Sequence, residues 1–144
     1  MTEPDVPRLP PPHGDSIGRW HLDHHPASAA LARALVRDSL SDPAHPASDQ
    51  LRQRAVLAAS ELVANAVRHG RPPLDLDVRR VGAGWLVEVF DGEPAAPLAR
   101  TVGQMAESGR GLLIVDRSTE RSGWAPHGEG KVVWIEVRER DAAS

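Results

Sequence analysis

The sequence predicts an α+β domain, a two-layer sandwich in which helices cover one face of a mixed, mainly antiparallel sheet. Three observations carry this expectation. Apolar residues recur at three- and four-residue spacing in two adjacent stretches, 28–41 and 49–69, the period of an amphipathic helix. From Leu74 onward the period falls to two, and glycine-bearing turns join the alternating runs into hairpins. The order β-α-α-β-β-α-β-β then calls for helices layered on a sheet.

Each element has its own justification. Residues 1–15 hold five of the thirteen prolines and read as a disordered or extended tail, which leaves a single domain over 16–140. Residues 17–23 alternate as a strand, with Trp20 out of step. Pro26-Ala27-Ser28 opens the first helix, since proline is tolerated in a first turn, and Asp42-Pro43 stops it. Ser48 is placed to cap a helix from Asp49 to His69 that closes at Gly70, ahead of Pro72-Pro73. Leu74, Leu76 and Val78 mark the next strand, and Gly82-Ala83-Gly84 turns it into a partner carrying Trp85, Val87 and Val89. Asp91-Gly92 ends that partner. Residues 93–108, with Pro94 and Pro97, are too polar and broken for a core element, and a loop this long inside a compact domain points to a lid or to disorder. Gly109-Arg110-Gly111 opens a short apolar helix over 112–116. A second hairpin, 121–125 and 132–137 around Gly128 and Gly130, completes the chain.

Composition excludes several function classes. A chain of 144 residues fits one domain. With no cysteine, thiol catalysis, disulfide frameworks and cysteine-ligated metals drop out. No apolar run approaches the ~20 residues that span a bilayer, and the proline-rich start lacks a signal peptide's apolar stretch, so a cytoplasmic protein is expected. A net charge of −3 without a basic cluster, and aromatics at 3%, speak against nucleic-acid binding. His21, His24 and His25 invite a metal reading, but their spacing gives no clear tetrahedral set.

Three local patterns bear on chemistry. Glu61, Asn65 and His69 follow at four-residue intervals and share a helix face, read as roughly opposite part of the Leu62/Ala66 stripe. Taken alone they suit a solvated face. Asp91 closes a strand, where a carboxylate, which only accepts hydrogen bonds, reads an exocyclic amine; an ordinary turn aspartate is the plainer account. Gly109-Arg110-Gly111 precedes a helix whose free N–H groups suit an anion.

In this order the motifs resemble those of the GHKL ATPases, and within them the small bacterial anti-sigma-factor serine/threonine kinases. The resemblance runs over about residues 17–138. It rests on residues 61–70, 87–92, 109–115 and 130–136, and it implies a Bergerat-type ATP-binding fold. It further implies Glu61 as general base, Asn65 as a ligand of Mg²⁺, and Asp91 as the acceptor of the adenine amino group. Gly92, Gly109, Arg110, Gly111 and Leu112 would complete the contacts with ATP, and residues 93–108 would close as a lid. The implied activity is phosphorylation of a small anti-sigma-factor antagonist. The alternative is a nucleotide-responsive module that sequesters a sigma factor, and a homodimer is compatible with either. The chain departs from the pattern at Pro94, which stiffens the lid hinge where a glycine would give wide motion. It departs again at Val132, taken to stand where a threonine usually approaches the adenine.

Overall fold

The computed structural model describes residues 6–97 and 120–139. In chain order the elements are β1 (Asp15–Leu22), α1 (Ser28–Ser39), α2 (Asp49–His69), β2 (Leu74–Val81), β3 (Gly84–Asp91), β4 (Glu120–His127) and β5 (Gly130–Arg138). The strands form one sheet in the order β1-β2-β3-β5-β4, antiparallel at every pairing. The parallel part of the expected mixed sheet is, among the described residues, one isolated bridge between Arg8 and Trp124. The helix expected over 112–116 lies outside the described residues. No described helix is long and apolar enough to cross a membrane.

Local chemistry explains the boundaries. Ser48 Oγ accepts the Leu51 N–H at 3.1 Å and starts α2. α1 ends at Ser39, before Asp42-Pro43, and the hydroxyls of Ser39 and Ser41 donate to the Leu35 and Arg37 carbonyls at 2.8 and 2.7 Å. Those bonds occupy carbonyls that the end of a helix leaves open. Both hairpins turn through two residues, the first being Gly82 at φ +57° or Gly128 at φ +56°, a position where glycine carries no steric cost. Gly130, expected within the turn, is the first residue of β5.

β1 accounts for the irregular place of Trp20. Its register with β2 shifts between Ser16 and Gly18, so Ile17 is the extra residue and the alternation restarts behind it. Ile17 and Trp20 then both pack on the core, and a Cβ at Gly18 would stand 2.3 Å from the Trp20 ring.

Alternation gives the sheet two different faces. Leu76, Val78, Trp85, Val87, Val89, Val133, Ile135 and Val137 face the helices and pack on Ala55, Ala58, Ala59, Leu62 and Val63 of α2. Alanines on α2 let its backbone approach the sheet closely. The opposite face carries a charged ladder beneath a strap. Arg79 donates to Glu88 at 2.7 Å and Asp77 at 2.9 Å, and Ser16 Oγ donates to Asp77 at 2.6 Å. Asp77 and Glu88 are buried, which only such partners make tolerable.

The strap is the proline-rich segment before β1. Trp124 N–H donates to Pro7 O, and Leu9 N–H to Trp124 O, at 3.0 and 2.8 Å. The Trp134 indole then donates to Leu9 O at 2.8 Å, and Arg79 to Gly14 O at 3.0 Å. Residues 9–14 therefore cross the outer face from the β4 side toward β1. Prolines suit this path, since an extended strap with no ladder needs few N–H donors.

Burial pushes the Glu88 carboxyl above its ordinary value, although the Arg79 hydrogen bond and charge pull it back in part. The folded chain therefore holds this proton more tightly than the unfolded chain does. Its contribution to stability is full below the ordinary value of 4.5 and declines as pH rises through the raised folded value. Glu88→Gln keeps an acceptor for Arg79 and removes the titration. Urea unfolding followed from about pH 4 to about pH 7 is expected to show a flatter pH dependence in this variant.

Candidate functional site

α2 sets one wall of the site. Glu61 is 1% exposed, so the solvated-face account fails for it, whereas Asn65 is half-buried and His69 is exposed. Asn65 and His69, one and two turns further on, line a cavity of about 230 Å³ between α2 and the ends of β3 and β5. Leu62 and Ala66 line the same cavity, so the apolar stripe does not stand opposite the polar residues. Successive helix positions differ by about 100°, and the two rows share the wall. Glu61 is not among the lining residues.

The floor is Asp91, the last residue of β3, whose side chain is 2% exposed. Its Oδ1 accepts the Glu93 N–H at 2.7 Å and the Lys131 ammonium at 3.2 Å. Lys131 stands directly across the ladder in β5, and its ammonium also donates to Glu93 O at 3.1 Å. Three glycines make room for this arrangement. A Cβ on Gly70 would lie 2.7 Å from Asp91 Cγ, one on Gly92 would lie 2.3 Å from Pro72 O, and one on Gly130 would lie 1.8 Å from Asp91 O. Gly70 caps α2 in extended backbone, at φ −95° and ψ −167°. The nearby carboxylate, and not a left-handed conformation, is the reason for glycine here.

Glu93 ties down the start of the expected lid. It accepts the Ala95 N–H at 3.1 Å and pairs with Arg71 at 3.4 Å, while Pro94 is exposed. Ala95, Ala96 and Pro97 then line the cavity. The remainder of the expected lid, 98–108, and the residues Gly109, Arg110, Gly111 and Leu112 lie outside the described residues.

Val132 is a correction. Alternation along β5 puts Lys131 and Val133 at the cavity and turns Val132 to the opposite face. The residue that bears on the cavity floor is thus Lys131, which the sequence reading passed over. A signal was available. The first residues after a hairpin turn lie opposite the strand end that carries Asp91, and position 131 is in phase with Val133, Ile135 and Val137.

The three candidate metal histidines go separate ways. His21 pairs with Asp75 at 2.8 Å, His24 with Ala66 O at 3.1 Å, and His25 accepts the Ala27 N–H at 3.0 Å. Among the described residues no group of three or more His, Cys, Asp or Glu is placed to hold a metal ion.

A helix bearing Glu61 and Asn65, packed on an antiparallel sheet whose neighbouring strand ends in a buried aspartate, is the arrangement of a GHKL-type ATP-binding domain. The family model of the histidine kinase-like ATPase domain matches residues 22–137, and the chain belongs to that family. No curated protein sequence matches the chain.

Gly70→Ala tests the crowding at the floor. The added methyl must displace either the Asp91 carboxylate or the end of α2, and such overpacking costs about 1–3 kcal/mol. Urea unfolding is expected to show that loss, whereas Gly82→Ala, whose Cβ meets nothing within 4 Å, is expected to cost only the strain of a positive φ, about 1 kcal/mol.

Proposed function

We propose that the chain is an ATP-dependent protein serine/threonine kinase of the anti-sigma type, acting in the cytoplasm on a small anti-sigma-factor antagonist. The observation that carries this reading is a carboxylate held 1% exposed at Glu61, one helical turn from a carboxamide, Asn65, that lines the cavity. In this reading the phosphate end of a bound nucleotide lies toward Asn65, one turn from Glu61, and the base lies at Asp91, both Asn65 and Asp91 lining the cavity.

In this reading Asp91 accepts a hydrogen bond from the adenine amino group and fixes the base. The phosphates then extend along α2 toward Asn65, with Gly92 at the base end and Gly109, Arg110, Gly111 and Leu112 supplying further contacts. The donor set fits Mg²⁺ carried mainly by phosphate oxygens and water, for which one side-chain oxygen, that of Asn65, suffices. When bound, the ion neutralises charge that develops on the transferred phosphoryl group. Glu61 takes the proton of the antagonist's serine or threonine hydroxyl as that oxygen attacks the γ-phosphorus. The bond to the β,γ-bridging oxygen breaks, and ADP leaves. Burial of Glu61 keeps bulk water from competing for this role.

Two substitutions separate transfer from binding. Glu61→Gln removes the proton acceptor and keeps the shape, so ATP affinity is expected to stay within about threefold while transfer falls ~10²–10⁴-fold. Asn65→Ala is expected to lower both. Labelled-phosphate transfer to the cognate antagonist, with ATP binding measured on the same samples, reads the two effects. If the wild type binds ATP and holds an antagonist or sigma factor yet transfers nothing, the kinase reading gives way to the sequestering module.

A further inference from the structure

Lys131 is the chain's only lysine among seventeen basic residues. Its side chain is 6% exposed, yet it lines the cavity. An ammonium carries three donors, and two have partners here, Asp91 Oδ1 at 3.2 Å and Glu93 O at 3.1 Å. Stability alone is a poor reason to bury both charges, because a buried ion pair contributes little beyond what apolar side chains of the same volume would give. Both residues line the cavity, and the bonds named here use neither the ammonium's third donor nor the second Asp91 oxygen. A carboxylate acceptor and an ammonium donor therefore stand side by side where a planar heterocycle would place its edge.

We propose that Lys131 is a base-reading residue that donates to the ring nitrogen N1 of adenine while Asp91 accepts from the neighbouring amino group. This rests on the nucleotide reading of the cavity given above. Adenine presents an amino donor beside the N1 acceptor. Hypoxanthine and guanine present an O6 acceptor beside an N1–H donor, the reverse order. Either of these meets the Asp91–Lys131 pair donor to donor and acceptor to acceptor. Turning the base over restores the match but carries the ribose to the other side, away from Asn65. Lys131 thus makes the floor selective for the order of polar groups, where Asp91 alone would select only for an amine.

The test uses ATP, ITP and 1-deaza-ATP, in which a C–H replaces N1. Titration calorimetry on the wild type is expected to give ATP an affinity about 10–100-fold above that of 1-deaza-ATP, the range for a hydrogen bond to a charged group. ITP is expected to bind more weakly than ATP. In Lys131→Met the difference between ATP and 1-deaza-ATP is expected to shrink to within about threefold. Because that variant leaves Asp91 buried without its counter-charge and risks unfolding, a second readout uses the wild type alone. With lysine ¹⁵N-labelled at Nζ, the single side-chain resonance is expected to shift on saturation with ATP and to stay near its free position with 1-deaza-ATP. Equal affinities in the wild type, or equal shifts with both nucleotides, would reduce Lys131 to a counter-ion of Asp91 and overturn the proposal. If the wild type binds no adenine nucleotide at all, the nucleotide reading itself fails.

Discussion

The functional end of the sheet depends on one buried ion pair, between Asp91 and Lys131. An aspartate at the end of an apolar strand is costly to bury unless its oxygens are matched. Lys131 and the Glu93 N–H match one of them at 3.2 and 2.7 Å. Room for Asp91 depends on the missing side chains at residues 70 and 130, and the missing side chain at residue 92 lets the Arg71–Pro72 backbone lie against the end of β3. Through Gly70 the pair fixes where α2 stops, and through Gly92 it fixes how closely the link between α2 and β2 lies against the end of β3. Through Glu93 it anchors the chain that leaves β3. One carboxylate thereby sets the relative positions of a helix end, two strand ends and the start of a loop.

The sheet meets the cost of buried polar groups differently on its two faces. On the helix side β3 and β5 are apolar from Trp85 and Val137 to Val89 and Val133, and their polar pair, Asp91 and Lys131, stands at the cavity floor. On the other side, charged residues of β2 and β3 occupy neighbouring positions, and Arg79 links Asp77, Glu88 and the strap at Gly14 in one set of bonds. The strap in turn carries the acceptor for the Trp134 indole. Trp134 and the carboxylates of Asp77, Glu88 and Glu136 are buried together on this face, which joins the N-terminal segment to the strands it crosses. In an antiparallel sheet with helices on one side only, the second face must be either solvated or covered. Here the chain's own N-terminal segment runs across it.

Much of this was legible in the sequence. Serine at position 48 and glycine at position 70 bound α2 as expected, because capping is a matter of one or two side chains acting on adjacent backbone. The hairpins were legible for the same reason, since a period of two and a glycine in the turn are both local. The spacing of Glu61 and Asn65 was visible, and so was the position of Asp91 at a strand end. The burial of Glu61 was not, since a four-residue interval gives a face without saying what covers it. Trp20 stayed out of step in the sequence because a bulge is settled by the partner strand, not by the strand that bulges.

The sequence by itself determined the class of fold and the succession of motifs, through periodicity, caps and turns that act over a few residues. Only the tertiary structure decided which residues meet. It turned Val132 away from the cavity and brought in Lys131. It set Gly70 against Asp91 and laid the proline-rich segment over the outer face of the sheet. These are contacts between residues 21 to 125 positions apart, such as Gly70 with Asp91 and Leu9 with Trp134. Their energies depend on register and on close approach across the sheet, and no local pattern of residues carries that information.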